Sequence, residues 1–423
     1  MNALKLLLLM LAVLVIGQAT DWPVADTLAL ALGGVLVLAF AWSRLSLRGV
    51  SGERALAADR AQVGGAVRET VRLRNRGLLA KLWVEAIDHS SLPGHDPGRV
   101  VHLPRRGVAE WETVTPCVKR GRYRLGPMTL RSGDPLGLFP TRLALPWSHE
   151  VVVYPPTVPL LDAPSPVAAL EGGATLDRKT PQTTPSIAGV RDYAPGDSYS
   201  RISWSQTARR GRLMVKEFDL DQTADVWLVL DLEAAIHRPA ARPAAFAPNA
   251  AGRLPIEAWL DSTLEVAVAA ASSLARRFLD EGRSVGLIAT GAHLETISPD
   301  RGPRQLSKLL EALAVVAADG HMPLAEILVA ESRRFGRHTG LVVVSASADD
   351  RWVGALAEIA GRRVRATAVV IEAETFAPAP SALLAVGGLT AASIPVHLVK
   401  YGEPLAAALA GAARGLPAGN GRR

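Results

Sequence analysis

At 423 residues the chain is long enough for two or three separate cores, and 49% hydrophobic with 21% charged residues excludes a disordered chain. A single cysteine, Cys117, excludes an intrachain disulfide framework and a zinc knuckle. The net charge of +7 suits an acidic partner, but no basic run is interleaved with aromatics as in a nucleic-acid reading module, which argues against nucleic acid.

Two apolar runs open the chain, ALKLLLLMLAVLVIGQA (3–19) and TLALALGGVLVLAFAW (27–42). Each, with its flanks, approaches the roughly 20 residues that cross a bilayer core. Lys5 can snorkel, and Trp22 and Trp42 stand where interfacial aromatics belong. The connection carries Asp21 and Asp26 and no basic residue, whereas Arg44, Arg48 and Arg54 follow the second run. The positive-inside rule then predicts a two-pass hairpin over 1–48 in the inner membrane, with the bulk of the chain cytoplasmic. The competing reading makes the first run a cleaved signal peptide ending at GQA, with the second as a lone anchor and the rest facing outward.

Residues 51–157 read as an antiparallel β-sandwich. VRETVRLRN (67–75), KLWVEAID (81–88), WETVTPCV, RGRYRLGPMTLR and HEVVVYP are short strand patterns punctuated by SLPGHDPG, PRRG and SGDPLG. His89, His95 and His102 lack metal-ligand spacing and are expected in solvated loops. Residues 158–222 read as a Pro/Ala/Gly/Thr-rich connector ending in a segment dense in Arg, Asp and aromatics, GVRDYAPGDSYSRISWSQTARRGRLMVKEFD (189–219). There Pro195-Gly196 sets a tight turn, Asp197 is typed to cap a helical turn, and Arg201 and Trp204 lie three apart, on one helical face. The segment has no histidine to act as a base, so a latch, or a recognition surface for a protein partner, fits it better than catalysis. RLMVKEFD is expected to lead as an edge strand into the following sheet.

Residues 223–402 alternate strands and helices, the pattern of a doubly wound, largely parallel α/β sheet, followed by a flexible tail over 403–423. A long helix is expected over 256–282, ending at Gly282. The loop 236–255, rich in Ala, Pro and Arg, is expected to be mobile. Ligands of such sheets bind at the carboxyl ends of strands, which directs attention to Asp231, Ser345 and Ser347.

RGRYRLGPMTLRSGDPLGLF (120–139), VYPP (153–156), GVRDYAPGDSYSRISWSQTAR (189–209) and VWLVLD (226–231), in this order, resemble the bacterial family called domain of unknown function fifty-eight. The resemblance implies a membrane-anchored protein with a β-rich domain and a von Willebrand factor A-like domain, and a MoxR-type AAA+ ATPase as partner. Arg191, Asp192, Tyr193, Pro195, Gly196, Asp197, Arg201, Trp204 and Arg209 lie in the family's signature and are the candidate interaction residues, by residue type. Metal-binding A-domains carry Asp-x-Ser-x-Ser after the first strand; here that element reads Asp231-Leu232-Glu233-Ala234-Ala235. Asp231, Glu233 and Asp349 remain as candidate oxygen ligands for a divalent cation.

The preferred function is a non-enzymatic membrane adaptor without a cofactor, working with that ATPase. One alternative is a metal-dependent hydrolase at Asp231 and Glu233. Another is binding of anionic lipid or nucleic acid through the Arg-rich face. SGDPLG lacks the Lys and helix start of a phosphate-binding loop, which argues against ATP hydrolysis by this chain.

Overall fold

A computed structural model describes residues 2–160, 187–193, 202–218, 225–242, 254–336 and 339–410. It divides into two compact units, one built mainly from Met1–Pro156 and the other mainly from Thr157–Ala245, Leu260–Leu309 and Val316–Arg423.

The first unit opens with α1 (Asn2–Thr20) and α2 (Pro23–Ser46), which pack against each other. Both are long and apolar enough to cross a membrane, and their leucines and valines are largely exposed. Ten strands follow: β1 (Val50–Leu56), β2 (Arg60–Gln62), β3 (Ala66–Asn75), β4 (Lys81–Asp88), β5 (Arg99–Leu103), β6 (Val108–Pro116), β7 (Gly121–Leu125), β8 (Met128–Ser132), β9 (Thr141–Leu145) and β10 (His149–Tyr154). They form sheets ordered β1-β3-β6, β5-β4-β8-β9 and β2-β10-β7; every pairing is antiparallel except that of β2 with β10. Val71, Leu73, Val84, Leu103, Trp111, Met128 and Leu130 form the main core, the inward halves of strands whose other residues meet solvent. A second cluster gathers Val67, Leu125, Val151 and Val153 around Cys117, whose thiol burial pushes above its ordinary range.

Two expectations change here. Arg54, expected in the basic flank of the second apolar run, has its side chain fully buried inside the sandwich. His95 is no solvated loop residue either, since its ring is enclosed among carboxylates.

The second unit begins with a hairpin, β11 (Ile187–Asp192) and β12 (Met214–Phe218), joined through α3 (Trp204–Arg210). RLMVKEFD therefore does not enter the large sheet: β12 pairs antiparallel with β11 in a sheet of their own. The α/β part comprises β13 (Val226–Asp231), α4 (Thr263–Asp280), β14 (Val285–Thr290), β15 (Leu294–Asp300), α5 (Gly302–Val315), α6 (Leu324–Glu331), β16 (Gly340–Ser345), α7 (Arg351–Gly361), β17 (Arg365–Ile371), α8 (Leu383–Ala391), β18 (Val396–Val399) and α9 (Leu405–Ala410). Its sheet runs β15-β14-β13-β16-β17-β18, parallel throughout except at β15. Trp227, Val229, Leu341 and Val343 face α6, α7 and α8, and the alternate residues lie on the face packed by the alanine-rich α4. Both faces are covered, so β13, β14 and β16 are buried at every position.

The long helix expected over 256–282 is broken. Ile256–Trp259 is a single 3-10 turn, and α4 restarts after Ser262, whose hydroxyl accepts from Glu265 N at 3.2 Å as an N-cap. Gly282 does adopt the left-handed conformation, φ +77°. The tail expected from 403 includes α9, which buries Leu405, Ala408 and Leu409. Residues 161–186 of the connector and 243–253 of the Arg/Pro loop lie outside the described residues.

Candidate functional site

The strand order reverses at β13, between β14 and β16, so the carboxyl ends of β13 and β16 stand at the topological switch point of a doubly wound sheet. Asp231 ends β13 and Ser345 ends β16. Ser345 Oγ donates to Asp231 Oδ2 at 2.6 Å, and Glu233 N donates to Oδ1 at 3.2 Å. Asp231 is wholly buried, and burial pushes its carboxyl up to about 6 against the pull of these two hydrogen bonds; the nearby Glu233 adds to the rise. The chain then steps outward: Ser347 N donates to Ser345 Oγ at 2.9 Å, and Asp349 N to Ser347 Oγ at 3.2 Å. Asp349 is held by Arg351, whose Nε and Nη2 lie 2.7 and 2.6 Å from Oδ2. That pairing keeps the Asp349 carboxyl below its ordinary value and raises the Arg351 guanidinium, to which Glu326 and Glu233 also contribute.

Asp231 and Asp349, two of the three candidate oxygen ligands, are engaged within the chain. Both Asp231 oxygens already accept hydrogen bonds from within the chain, Asp349 turns to Arg351, and position 235 is alanine without a hydroxyl. Among the described residues no three His, Cys, Asp or Glu side chains come together to hold a metal.

Sequence reasoning directed attention to Asp231, Ser345 and Ser347 at the strand ends but not to the bond between Asp231 and Ser345 or to what surrounds it. Thr290, at the end of β14, donates to Leu230 O and accepts from Leu232 N. His237 Nε2 lies 2.9 Å from Asp231 O, so this stem of the Arg/Pro loop is pinned beneath the strand end. Gly320 is bridged to Glu233: its N–H donates to Leu232 O at 3.0 Å and its carbonyl accepts from Ala234 N at 2.8 Å. A Cβ there would collide with Thr290 O and lie 2.9 Å from Leu232 O, both rigid backbone. Gly320→Ala is therefore expected to cost about 1–3 kcal/mol, read as a lower thermal midpoint of the α/β unit. An unchanged midpoint would mean that the loop after β13 is free to move.

The Arg-rich segment forms a second candidate surface. Arg191 and Asp192 pair with Val215 and Met214 in the hairpin, and Tyr193 N donates to Leu213 O at 2.9 Å. Ser203 N reaches Met214 O and Thr207 Oγ1 accepts from Met214 N, so α3 is stitched to the start of β12. Ile202, Met214 and Val215 are buried beneath. Above them α3 buries none of its residues: Trp204 is 67% exposed, Arg209 and Arg210 are exposed, and Arg212 pairs with Asp192 at 3.1 Å in solvent. Such an exposed pair contributes at most about 1 kcal/mol. Pro195, Gly196, Asp197 and Arg201 lie outside the described residues, so the expected sharing of a helical face by Arg201 and Trp204 lies outside them too.

The largest feature that sequence reasoning missed is a buried ion group in the sandwich. Arg54 on β1 pairs with Glu69 on β3 at 3.1 Å and with Asp88 at the end of β4. His95 Nε2 lies 3.4 Å from Glu69 and 3.6 Å from Asp88, while Nδ1 lies 2.8 Å from Thr115 Oγ1. A signal existed. In β3 the inward positions run Val67, Glu69, Val71, Leu73, so Glu69 is a charge at core parity.

Residues 189–240 match the family described as Protein of unknown function DUF58. The chain is 24% identical over 283 residues, 63% of its length, to the uncharacterized protein YeaD of Bacillus subtilis (strain 168), and spans 64% of the length of that relative. Two of the solved structures with partial likeness to it are single domains. The CARDB domain of PF1109 from Pyrococcus furiosus is 14% identical and covers 25% of this chain and 91% of its own, with TM-score 0.20. The PapD-like domain 7 of human CEP192 is 13% identical and covers 25% and 86%, with TM-score 0.17.

Proposed function

We propose that the chain is a non-enzymatic docking protein held by a two-pass hairpin in the inner membrane, with the rest of the chain cytoplasmic. Its α/β unit, of von Willebrand A-like topology, displays the segment around α3 to a MoxR-type AAA+ ATPase. The observation that carries this reading is Trp204, two-thirds exposed among Arg209, Arg210 and Arg212 inside the family-matched segment. Trp and Arg are the residue types that dominate binding energy at interfaces, and a Trp exposed on a helix that buries nothing adds little to the fold. The six-strand order with its antiparallel edge strand supports the A-like topology. The enclosed Asp231 favours a structural over a hydrolytic role for the strand end, because no substrate atom reaches a fully buried carboxylate.

The test is binding of the full chain, in nanodiscs, to a purified MoxR-type ATPase of the same organism. A Trp204→Ala, Arg209→Ala chain is expected to bind at least about tenfold more weakly with an unchanged thermal midpoint. An early melt would assign these residues to a latch, and no binding by the native chain would overturn the reading.

A further inference from the structure

We propose that the sandwich lies directly on the bilayer, with the loops beside the α2 exit forming a leucine-tipped, arginine-rimmed surface for anionic phospholipid headgroups. This rests on the membrane-spanning reading of α1 and α2.

The helix and the sandwich are joined without slack. Only Leu47, Arg48 and Gly49 separate α2 from β1, and Val50 N bonds back to Leu47 O. Lys81, buried at the start of β4, donates its amine to Leu45 O, a carbonyl of the last helical turn with no partner within the helix. Burial lowers the Lys81 amine below its ordinary range. Ser43 Oγ donates to Phe139 O at 2.6 Å, and the Phe139 ring meets Phe40 edge-on at 5.5 Å. Phe40 belongs to the apolar run 27–42, so the loop carrying Phe139 reaches the depth of that run.

Two loops here present apolar side chains outward, and each is held by a buried polar residue. Asp134 accepts from the amides of Leu136, Leu138 and Phe139, which leaves Leu136 61% exposed. Asn75 bonds to Leu79 O, Pro104 O and Gly77 N, which leaves Leu78 58% exposed and Leu79 nearly as much. Leu79 and Leu82 line a cleft with Trp42, Leu45 and Pro135 of the helix exit and the neighbouring loop. In water these leucines would be an unexplained apolar patch.

The surrounding charge is one-signed. Arg76 N bonds to Gly49 O and Arg106 N to Gly77 O, which gathers Arg48, Arg76, Arg105 and Arg106 at this end of the sandwich. Arg44 lies over the Phe40 ring at 4.9 Å. Across 40–49, 76–82, 103–107 and 132–140 the one acidic residue is Asp134, buried and engaged in its loop. Leucines at the tip and arginines at the rim match the acyl boundary and the anionic headgroups of a bilayer surface. This placement also gives the DPLGLF part of the 120–139 motif a task.

The test places single cysteines at Leu38, Leu136 and Lys119 on a Cys117→Ala background, labels each with an environment-sensitive fluorophore, and reconstitutes the full chain in phosphatidylcholine–phosphatidylglycerol vesicles containing shallow brominated lipid. Lys119 lies beyond the opposite end of β6 and is exposed. The expected result is quenching at 38 and 136 and none at 119. Quenching at 136 should fall in phosphatidylcholine alone, and in an Arg48→Glu, Arg76→Glu, Arg106→Glu chain, while quenching at 38 stays unchanged. Quenching at 38 with 136 behaving like 119 overturns the inference and leaves the hairpin standing, and shielding of 136 that grows with protein concentration would assign the patch to a second copy. No quenching at 38 overturns the hairpin reading, and this inference with it.

Discussion

Replacing Arg54 by methionine is expected to destabilise the sandwich by about 3–5 kcal/mol, because it leaves Glu69 and Asp88 charged and enclosed without their cation. The Arg54 side chain has no solvent exposure, and those of its two partners have almost none, so water cannot take the guanidinium's place. Ser90 and His95 supply only part of what the carboxylates lose. A loss of that size is a large fraction of the 5–15 kcal/mol that holds a typical domain. Adding Glu69→Leu to Arg54→Met removes one of the stranded charges and should recover part of the stability, since an apolar pair of similar volume tolerates the interior better than a lone ion. Hydrogen exchange of β3 and β4 amides in the full chain measures both variants. Protection within about 1 kcal/mol of the native chain in Arg54→Met would show that the group is hydrated and of little consequence.

Asp231→Asn is expected to change sign with pH. The Asp231 carboxyl, pushed up to about 6 from an ordinary 3.8, is easier to protonate in the folded chain than in the unfolded one. Its contribution to stability is complete below pH 3.8 and is lost as pH rises through 6. The difference amounts to about 3 kcal/mol above that window. Asparagine carries no charge to bury but weakens one of the two hydrogen bonds from Ser345 and Glu233, at about 1 kcal/mol. The variant should therefore be more stable than the native chain by about 2 kcal/mol at pH 8, and less stable by about 1 kcal/mol at pH 4. Exchange of β13 and β16 amides, corrected for intrinsic rates, reads this directly. A variant less stable than the native chain at both pH values would mean that the strand end needs the negative charge.

The two apolar helices were readable from the length and composition of their runs, and the alternation of β3 and the unbroken apolar run of β13 because each reports the burial of a short segment. Gly282 marked the end of α4 for the same local reason. The start of α4 was not readable: the apolar spacing of 256–262 continues the helical pattern, and only the Ser262 cap separates the 3-10 turn from the helix. RLMVKEFD, expected to lead into the large sheet, pairs with β11 instead, since alternation specifies a face and not a partner strand.

That Asp231 and Ser345 stand at carboxyl ends of strands followed from the alternation of strands and helices, whereas their bond across 114 residues depends on β13 and β16 being neighbours in the sheet. The bonding of Thr290, His237 and Gly320 to the backbone of that strand end depends on connections whose course no local pattern dictates. Arg54, Glu69, Asp88 and His95 met only through the packing of two sheets, and charge pairing across sheets depends on register and stacking, neither of which any one strand records.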